Sequence, residues 1–206
     1  PFDRAARVID ATGSIVAPGL IDLHSHVYWG GTSLGVDADR LAAKSGTTTF
    51  IDAGSAGAGN FLGFRRHVIE RSKVRILAYV NISFAGIFGF SQTVSVGECS
   101  DLRLCEPRER GVIFDIGHGM GSFDFEVAKA MLSEGLAPDV ISSDVHLYCV
   151  DGPAFDILVC MSKLLALGMP LVEVLRAATQ RPAEAIGRTD LGALTVGAVG
   201  DIAVLR

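Results

Sequence analysis

No stretch of the sequence approaches the roughly 18 consecutive apolar residues that a membrane-spanning helix requires. Cysteine is scarce: the chain has four, with no CxxC pair, which argues against a disulfide framework and favours a reducing compartment. The net charge of -5 is small and spread along the chain, without the basic excess that nucleic-acid binding requires. We therefore expect a cytoplasmic protein that binds neither a membrane nor a nucleic acid.

What the sequence does contain is typical of an α/β protein. With 206 residues, 49% of them hydrophobic and 24 of them glycine, the chain is long enough for one domain, or for one domain with a small appendage. Buried strands are predicted at Leu20–His24, Thr47–Asp52, Arg75–Ser83, Val112–Ile116 and Asp139–Asp144. Helices are predicted at Asp37–Ser45, Phe125–Glu134, Phe155–Leu167 and Leu171–Thr179, with a last turn at Ala183–Ile186. Asn60 is predicted to be the N-cap of a further helix that carries Phe61, Phe64 and Val68 on one side.

Strands that alternate with helices indicate a parallel sheet with right-handed crossovers. Five strands are visible before the tail, whereas a (β/α)8 barrel has eight strands and about 250 residues. The chain is therefore either an open, doubly wound sheet or a barrel that lacks three units, with the gap between Phe84 and Arg110. At the N-terminus, Val8–Asp10 and Ser14–Val16 are predicted to form a short strand pair, and Asp201–Leu205 is predicted to be a final strand.

The stretch PGLIDLHSHV places two histidines at the end of a buried strand. Side chains alternate along a strand, so Asp22, His24 and His26 share one face, and the two imidazoles can converge on a metal ion. The plainer interpretation is a pair of polar residues that bond to nearby backbone. Asp144, at the end of another buried strand, favours the metal site, because a carboxylate can bind an ion and also accept a proton from its water.

A longer set of motifs resembles one family. The stretches APGLIDLHSHV, GTTTFIDAGS, GVIFDIGHGMGSFDFEVAKAMLSEG, ISSDVH and ATQRPAEAIG, together with LGALTVGAVGDIAVL, are similar to the amidohydrolase superfamily, in its dihydroorotase-like or deacetylase branch. The resemblance implies a (β/α)8 TIM barrel, here incomplete, over residues 18–187. It also implies part of a small β-sandwich built from residues 1–17 and 188–206.

The resemblance also implies roles for individual residues. His24 and His26 become metal ligands from the first barrel strand, and Asp144 becomes the eighth-strand aspartate, a metal ligand and the catalytic proton shuttle. The cofactor is then a divalent metal, with zinc expected, as one or two ions in an intact enzyme. Binuclear members also use a carboxylated lysine and two more histidines, and this sequence has no counterpart for them: its lysines (Lys44, Lys73, Lys129 and Lys163) all lie in or beside predicted helices.

The metal ligands that this sequence lacks would belong to a part of the barrel for which the sequence has too few residues. Only 19 residues, QTVSVGECSDLRLCEPRER, span the region where the family has three further strand–helix units. The sequence also starts at Pro1, without a methionine. We expect a remnant: a truncated gene, an internally deleted copy, or an incomplete sequence.

Two further histidines are candidate substrate-binding residues. His118 lies between glycines at a strand end, where a structural role is equally compatible with the pattern, and where a role as an additional ligand of a single metal ion is a weaker option. His146 follows Asp144 by two residues and is expected at the rim of the pocket. Asp52 is expected to orient a loop. Ser25 has no nucleophile-elbow motif around it, so serine catalysis is not expected.

These features predict a metal-dependent hydrolase that cleaves an amide, a cyclic amide or an ester of a small molecule, such as an acetylated or N-acyl compound. The alternative is an inactive remnant of such an enzyme. A five-stranded barrel would leave two parallel edges unpaired, so this chain would associate with other copies or misfold. A homo-oligomer is compatible with either interpretation.

Overall fold

The computed structural model describes residues 6–81, 85–87 and 113–206. The strands in these ranges are β1 (Ile15–Pro18), β2 (Leu20–Ser25), β3 (Thr47–Gly57), β4 (Arg75–Asn81), β5 (Asp115–Ile116), β6 (Val140–Ile141) and β7 (Ile202–Leu205). The helices are α1 (Ala38–Ser45), α2 (Phe61–His67), α3 (Phe125–Ser133), α4 (Ile157–Ala166), α5 (Leu171–Ala177) and α6 (Gln180–Ala185), with a 3-10 turn at Ile69–Arg71. None of these helices is long and apolar enough to cross a membrane.

The five predicted strands are all present, and they pair in parallel. Strands β2, β3 and β4 form one sheet, and β5 pairs with β6 in another. An isolated parallel bridge between Ser25 and Val145 joins β2 to the segment that follows β6. The order across the described strands is therefore β5-β6-β2-β3-β4, which brings the carboxyl ends of β2 and β6 side by side.

The helix boundaries follow from capping side chains. Asp37 precedes α1 and accepts hydrogen bonds from the backbone of Asp39 and Arg40, while Gly46 ends the helix in the left-handed conformation at φ 70°. The predicted start of α4 at Phe155 is wrong by two residues, because Asp156 is its N-cap and Phe155 itself has φ 57°.

Two other local predictions are also corrected. Residues 8–10 form no strand, and β1 pairs instead with β7 in antiparallel register, from Ile15 opposite Leu205 to Pro18 opposite Ile202. Asn60 precedes α2 but does not cap it with its side chain, because its Oδ1 accepts a hydrogen bond from the backbone of Gly57. Local sequence patterns did not identify β7 as the partner of β1, because β7 lies at the other end of the chain. They also did not identify the bond between Asn60 and Gly57, because Gly57 belongs to the preceding strand β3.

The core is organised in layers against the sheet. One cluster packs Phe50 and Ile76 of the strands against Phe64 of α2 and Tyr28. A second packs Leu20 and Ile141 against α4 and α5, with Ile157, Leu164, Val174 and Ala177 fully buried. Helices therefore pack on the buried side chains of the strands, as expected for a parallel sheet with crossover helices.

The terminal strand pair lies against the sheet through Asp201. Its carboxylate is 2.8 Å from Nη1 of Arg75, and its backbone oxygen accepts a hydrogen bond from Gly19. The division into a barrel over 18–187 and a sandwich from 1–17 and 188–206 stays a prediction. Residues 1–5 of that sandwich, the end of the predicted third strand at 82–83, Val112 at the start of the predicted fourth strand, and most of the predicted gap lie outside the described residues.

Candidate metal centre

His24, His26 and Asp144 converge at the carboxyl ends of β2 and β6. Nε2 of His24 and Nε2 of His26 each lie 3.3 Å from Oδ1 of Asp144. One ligand atom from each of the three residues lies within 4.8 Å of the others, and this is the one such group of three or more found within the described residues. The three residues that the sequence singled out as metal ligands are therefore close enough to hold one ion.

Backbone hydrogen bonds between the two strand ends produce this convergence. The backbone nitrogen of Asp144 donates to the oxygen of His24 at 2.8 Å, and the nitrogen of His26 donates to the oxygen of Val145 at 2.9 Å. Asp144 itself has φ 49°, in the left-handed region that aspartate tolerates better than most residues. The chain therefore turns at Asp144, where its carboxylate meets the two imidazoles.

The ring of His26 is oriented by a serine that the sequence did not identify. Nδ1 of His26 lies 3.0 Å from Oγ of Ser55, and the backbone of Ser55 in turn donates to Asp52. The second carboxylate oxygen of Asp52 accepts from the backbone of Val27. Asp52 thus connects the loop after β2 to β3. With a metal ion bound, Nδ1 of His26 would donate to Ser55 and Nε2 would offer its lone pair to the ion, which is how histidine ligands are commonly oriented.

Electrostatics keep the Asp144 carboxylate ionised. Burial acts to raise its pKa, but the hydrogen bond from His26 and the charges of His24, His26 and His146 outweigh burial, so the pKa lies below its ordinary value. Asp22, two residues before His24, is different: burial raises its pKa to about 7 against the lowering effect of hydrogen bonds from Ser143.

Glycine at position 119 leaves room for the Asp144 carboxylate. A Cβ atom built on Gly119 would lie 2.5 Å from Oδ2 of Asp144 and 3.1 Å from Oγ of Ser122, and the residue has φ 40°. Any larger residue would therefore collide with the carboxylate. The sequence places glycines on both sides of His118 but does not identify Asp144 as the group that approaches them.

His146 is buried beside the cluster. It is 4% exposed, its ring centroid lies 6.2 Å from that of His26, and Nδ1 accepts a hydrogen bond from the backbone of Tyr148. Burial lowers its pKa, with the negative charge of Asp144 acting in the opposite direction. The side chain thus faces the site rather than solvent, and its role in substrate binding stays a prediction.

His118 is not one of the three residues whose ligand atoms converge. It is 1% exposed and stacks on Phe123 with a centroid distance of 4.4 Å, and its Nδ1 is 3.2 Å from the carbonyl oxygen of Ser142. Burial lowers its pKa to about 4, so the ring is neutral at pH 7. A carbonyl only accepts, so Nδ1 carries the proton and Nε2 is a bare acceptor, buried without a hydrogen-bond partner among the described residues. His118 does not belong to the ligand group, which counts against the single-ion option that included it.

The loops that follow β2 and β6 carry exposed apolar side chains. Trp29, Leu147 and Tyr148 are 59%, 53% and 51% exposed, and the backbone of Leu147 donates to Leu34 across the two loops. A cavity of about 640 Å³ opens between these loops, with Trp29 and Leu147 in its wall. His24, His26 and Asp144 do not line this cavity, so it is a neighbour of the candidate metal centre and not part of it.

Comparison with known proteins shows that this chain is similar to amidohydrolases and deacetylases. Residues 121–206 match the Amidohydrolase family. A deacetylase of Agrobacterium fabrum is 28% identical over 290 aligned positions that cover 95% of this chain and 71% of the relative. A deacetylase of Brucella anthropi is also 28% identical and is covered to 72%. Because these alignments are longer than the 206 residues of this chain, both relatives have residues inside the aligned span that this chain lacks.

A solved structure extends the similarity to three dimensions. The crystal structure of a dihydroorotase superimposes with a TM-score of 0.80 at 27% sequence identity, covering 91% of this chain and 75% of that one. The similarity therefore includes both the strands before the predicted gap and those after it.

Proposed function

We infer that this chain belongs to the amidohydrolase superfamily and is a metal-dependent hydrolase of C–N bonds. We propose that it removes an acyl group from an acetylated or N-acyl small molecule, with cyclic amides and esters as the related substrates. The observation that carries the proposal is the convergence of His24, His26 and Asp144 at adjoining strand ends. The relatives named as deacetylases favour the acyl substrate.

The donor set fits a divalent ion, and we propose zinc. Two imidazoles and one carboxylate are the ligands of many catalytic zinc sites, which keep a further position for water or substrate. Ligand atoms about 2.1 Å from a tetrahedral zinc ion are themselves about 3.4 Å apart. The two Nε2–Oδ1 separations of 3.3 Å agree with that spacing. When bound, such an ion supplies Lewis-acid chemistry, in which it polarises a carbonyl and lowers the pKa of water.

The side chains of the chain supply the proton transfers. Asp144 is ionised and has Oδ1 toward both imidazoles, so its carboxylate can take a proton from the attacking water and deliver it to the leaving nitrogen. The hydrogen bond between His26 and Ser55 keeps the ring from turning during that transfer.

His118 and His146 are proposed to contact substrate. The neutral His118 ring presents a buried acceptor without a partner at Nε2, and an N–H or O–H group of the substrate would satisfy it. His146 lies beside His26 and would contact the part of the substrate next to the scissile bond.

The described strands are proposed to be five of the eight strands of a (β/α)8 barrel. Their order, β5-β6-β2-β3-β4, is that of the last two and first three strands of such a barrel, with the missing strands between β4 and β5. A cytoplasmic location is proposed on the unpaired, buried thiols of Cys149 and Cys160.

The test is metal analysis followed by a substrate panel on the 206-residue chain. We expect the purified chain to retain about one zinc ion, and to hydrolyse an N-acetyl amino acid in preference to dihydroorotate, a cyclic amide, or p-nitrophenyl acetate, an ester. Chelation should abolish turnover and zinc should restore it. Negligible metal, together with no turnover on any of the three substrates after zinc addition, would instead support the inactive remnant.

Gly119→Ala is expected to lower kcat/KM by about 10²-fold, because the new methyl group displaces the Asp144 carboxylate and small displacements of catalytic groups have effects of that size. The matched control is Gly121→Ala in the same turn, where a Cβ atom meets nothing within 4 Å. Steady-state kinetics on the zinc-loaded chains measure the difference. Equal activity of the two variants contradicts the prediction.

A further inference from the structure

We propose that Asp22 is a positioning residue that acts through Ser143 to hold Asp144 in its ligand position. This inference rests on the proposed function, since it concerns the same metal centre. It identifies a residue outside the ligand set, on the neighbouring strand, as a determinant of metal affinity.

Both oxygens of the Asp22 carboxylate are bonded to one residue. Oδ1 accepts a hydrogen bond from the backbone of Ser143 at 3.0 Å, and Oδ2 accepts one from the Ser143 hydroxyl at 2.5 Å. Asp22 is 1% exposed and Ser143 is fully buried. Because both residues are buried, a polar group that lost its partner here would not be satisfied by water, so the link between β2 and the segment that follows β6 is a firm one.

The Ser143 hydroxyl continues the link past Asp144. Its Oγ accepts a hydrogen bond from the backbone of Val145 at 3.0 Å, so that the residues on both sides of Asp144 are held by one hydroxyl. Asp144 between them has φ 49°, a conformation that aspartate tolerates but adopts less readily than glycine does. The hydrogen bonds that Ser143 makes with Asp22 and Val145 therefore keep Asp144 in the left-handed conformation.

The left-handed conformation of Asp144 directs its carboxylate toward the two imidazoles. Oδ1 of Asp144 lies 3.3 Å from both imidazoles while its backbone nitrogen donates to His24. If Ser143 is released, the turn at Asp144 can relax toward an extended backbone, and the carboxylate then moves away from His24 and His26. Loss of a group that orients a metal ligand commonly weakens metal binding by about 10–100-fold.

The experiment compares Asp22→Asn, Ser143→Ala and the double variant with the parent chain. Zinc affinity is measured by isothermal titration calorimetry, and the ligand geometry by the visible absorption of Co²⁺ bound in place of zinc. We expect each single variant to bind zinc about 10–100-fold more weakly and to change the Co²⁺ spectrum. Because both residues act through the same link, the double variant should bind zinc no more weakly than the single variant with the larger loss of affinity.

A matched control is available elsewhere in the chain. The hydroxyl of Ser72 donates to Oδ1 of Asp39 at 2.7 Å, and the backbone of Lys73 donates to the same oxygen, so a serine hydroxyl and a backbone N–H again bind one carboxylate, here away from the metal centre. Ser72→Ala should lower the melting temperature without a change in zinc affinity or in the Co²⁺ spectrum. This control separates positioning from a general loss of stability.

The outcomes distinguish the inference from the proposed function. A parent chain that binds no zinc contradicts the proposed function. If the parent chain binds zinc and Asp22→Asn and Ser143→Ala bind it equally tightly, the inference is overturned while the proposed function stands. Additive losses of affinity in the double variant also overturn the inference alone. Should Ser143→Ala fail to fold, Asp22→Asn, which keeps the shape of the side chain, decides the question by the same two measurements.

Discussion

Replacing Asp144 with asparagine is expected to lower kcat/KM of the zinc-loaded chain by about 10³-fold, within the range that a positioned acid–base group contributes. The substitution removes the negative charge that faces both Nε2 atoms and the group that would accept the proton from water. Asparagine adopts left-handed backbone about as readily as aspartate, so the φ of 49° should be retained. The loss then reports the carboxylate rather than a disturbed turn.

Two further variants complete this measurement. Asp144→Gly keeps the left-handed backbone without any side chain and should be as inactive as Asp144→Asn. Asp190→Asn removes a carboxylate from the exposed ion pair with Arg188 and should retain full activity. Activity in Asp144→Asn within tenfold of the parent chain would show that another group accepts the proton.

Truncating Phe64 to alanine is expected to lower the free energy of unfolding by about 3–5 kcal/mol, the usual cost of a Phe→Ala change in a core. Phe64 is fully buried, and its ring stacks on Tyr28 with a centroid distance of 4.5 Å. A loss of this size removes much of the stability of a typical domain. Urea denaturation followed by circular dichroism measures it.

The same substitution should also weaken the candidate metal centre. Tyr28 belongs to the loop after β2, two residues beyond His26, and Phe64 is the residue of α2 that packs on it. We therefore expect zinc affinity to fall as well. Leu62→Ala on the same helix is the control, because Leu62 is 62% exposed and its truncation should change stability by less than about 0.5 kcal/mol. Equal unfolding midpoints for the two variants would contradict the packing described for α2.

Local sequence patterns were sufficient to predict where the helices and strands lie. The apolar stretch ending in LHSH predicted β2, and DADRLAAKS followed by glycine predicted α1, because a capping aspartate and a terminal glycine act on neighbouring residues. Alternation along β2 placed His24 and His26 on one face without knowledge of any other strand. The position of Asp144 at the end of another predicted strand suggested it as their partner, and the resemblance to a family assigned it the roles of metal ligand and proton shuttle.

Contacts between distant segments were beyond such patterns. Nothing in IVA at residues 15–17 shows that its partner is IAVL at the other end of the chain, and the predicted pairing with Val8–Asp10 was accordingly wrong. Ser55 was missed because its contact with His26 crosses from β2 to β3. The sequence shows Gly119 only as a neighbour of His118, whereas the structure shows that the group it makes room for is Asp144.

The sequence by itself determines that this protein alternates strands and helices, with two histidines on one face of a strand and an aspartate at the end of another strand. Those properties depend on side-chain alternation, capping and residue type, all of which act over a few residues. The tertiary structure alone decided that β2 and β6 adjoin, that Asp22 bonds to Ser143 across 121 positions of sequence, and that Asp144 takes a left-handed turn toward both imidazoles. The physical reason is that these contacts depend on how the strands pair, and strand pairing is a property of the whole folded chain.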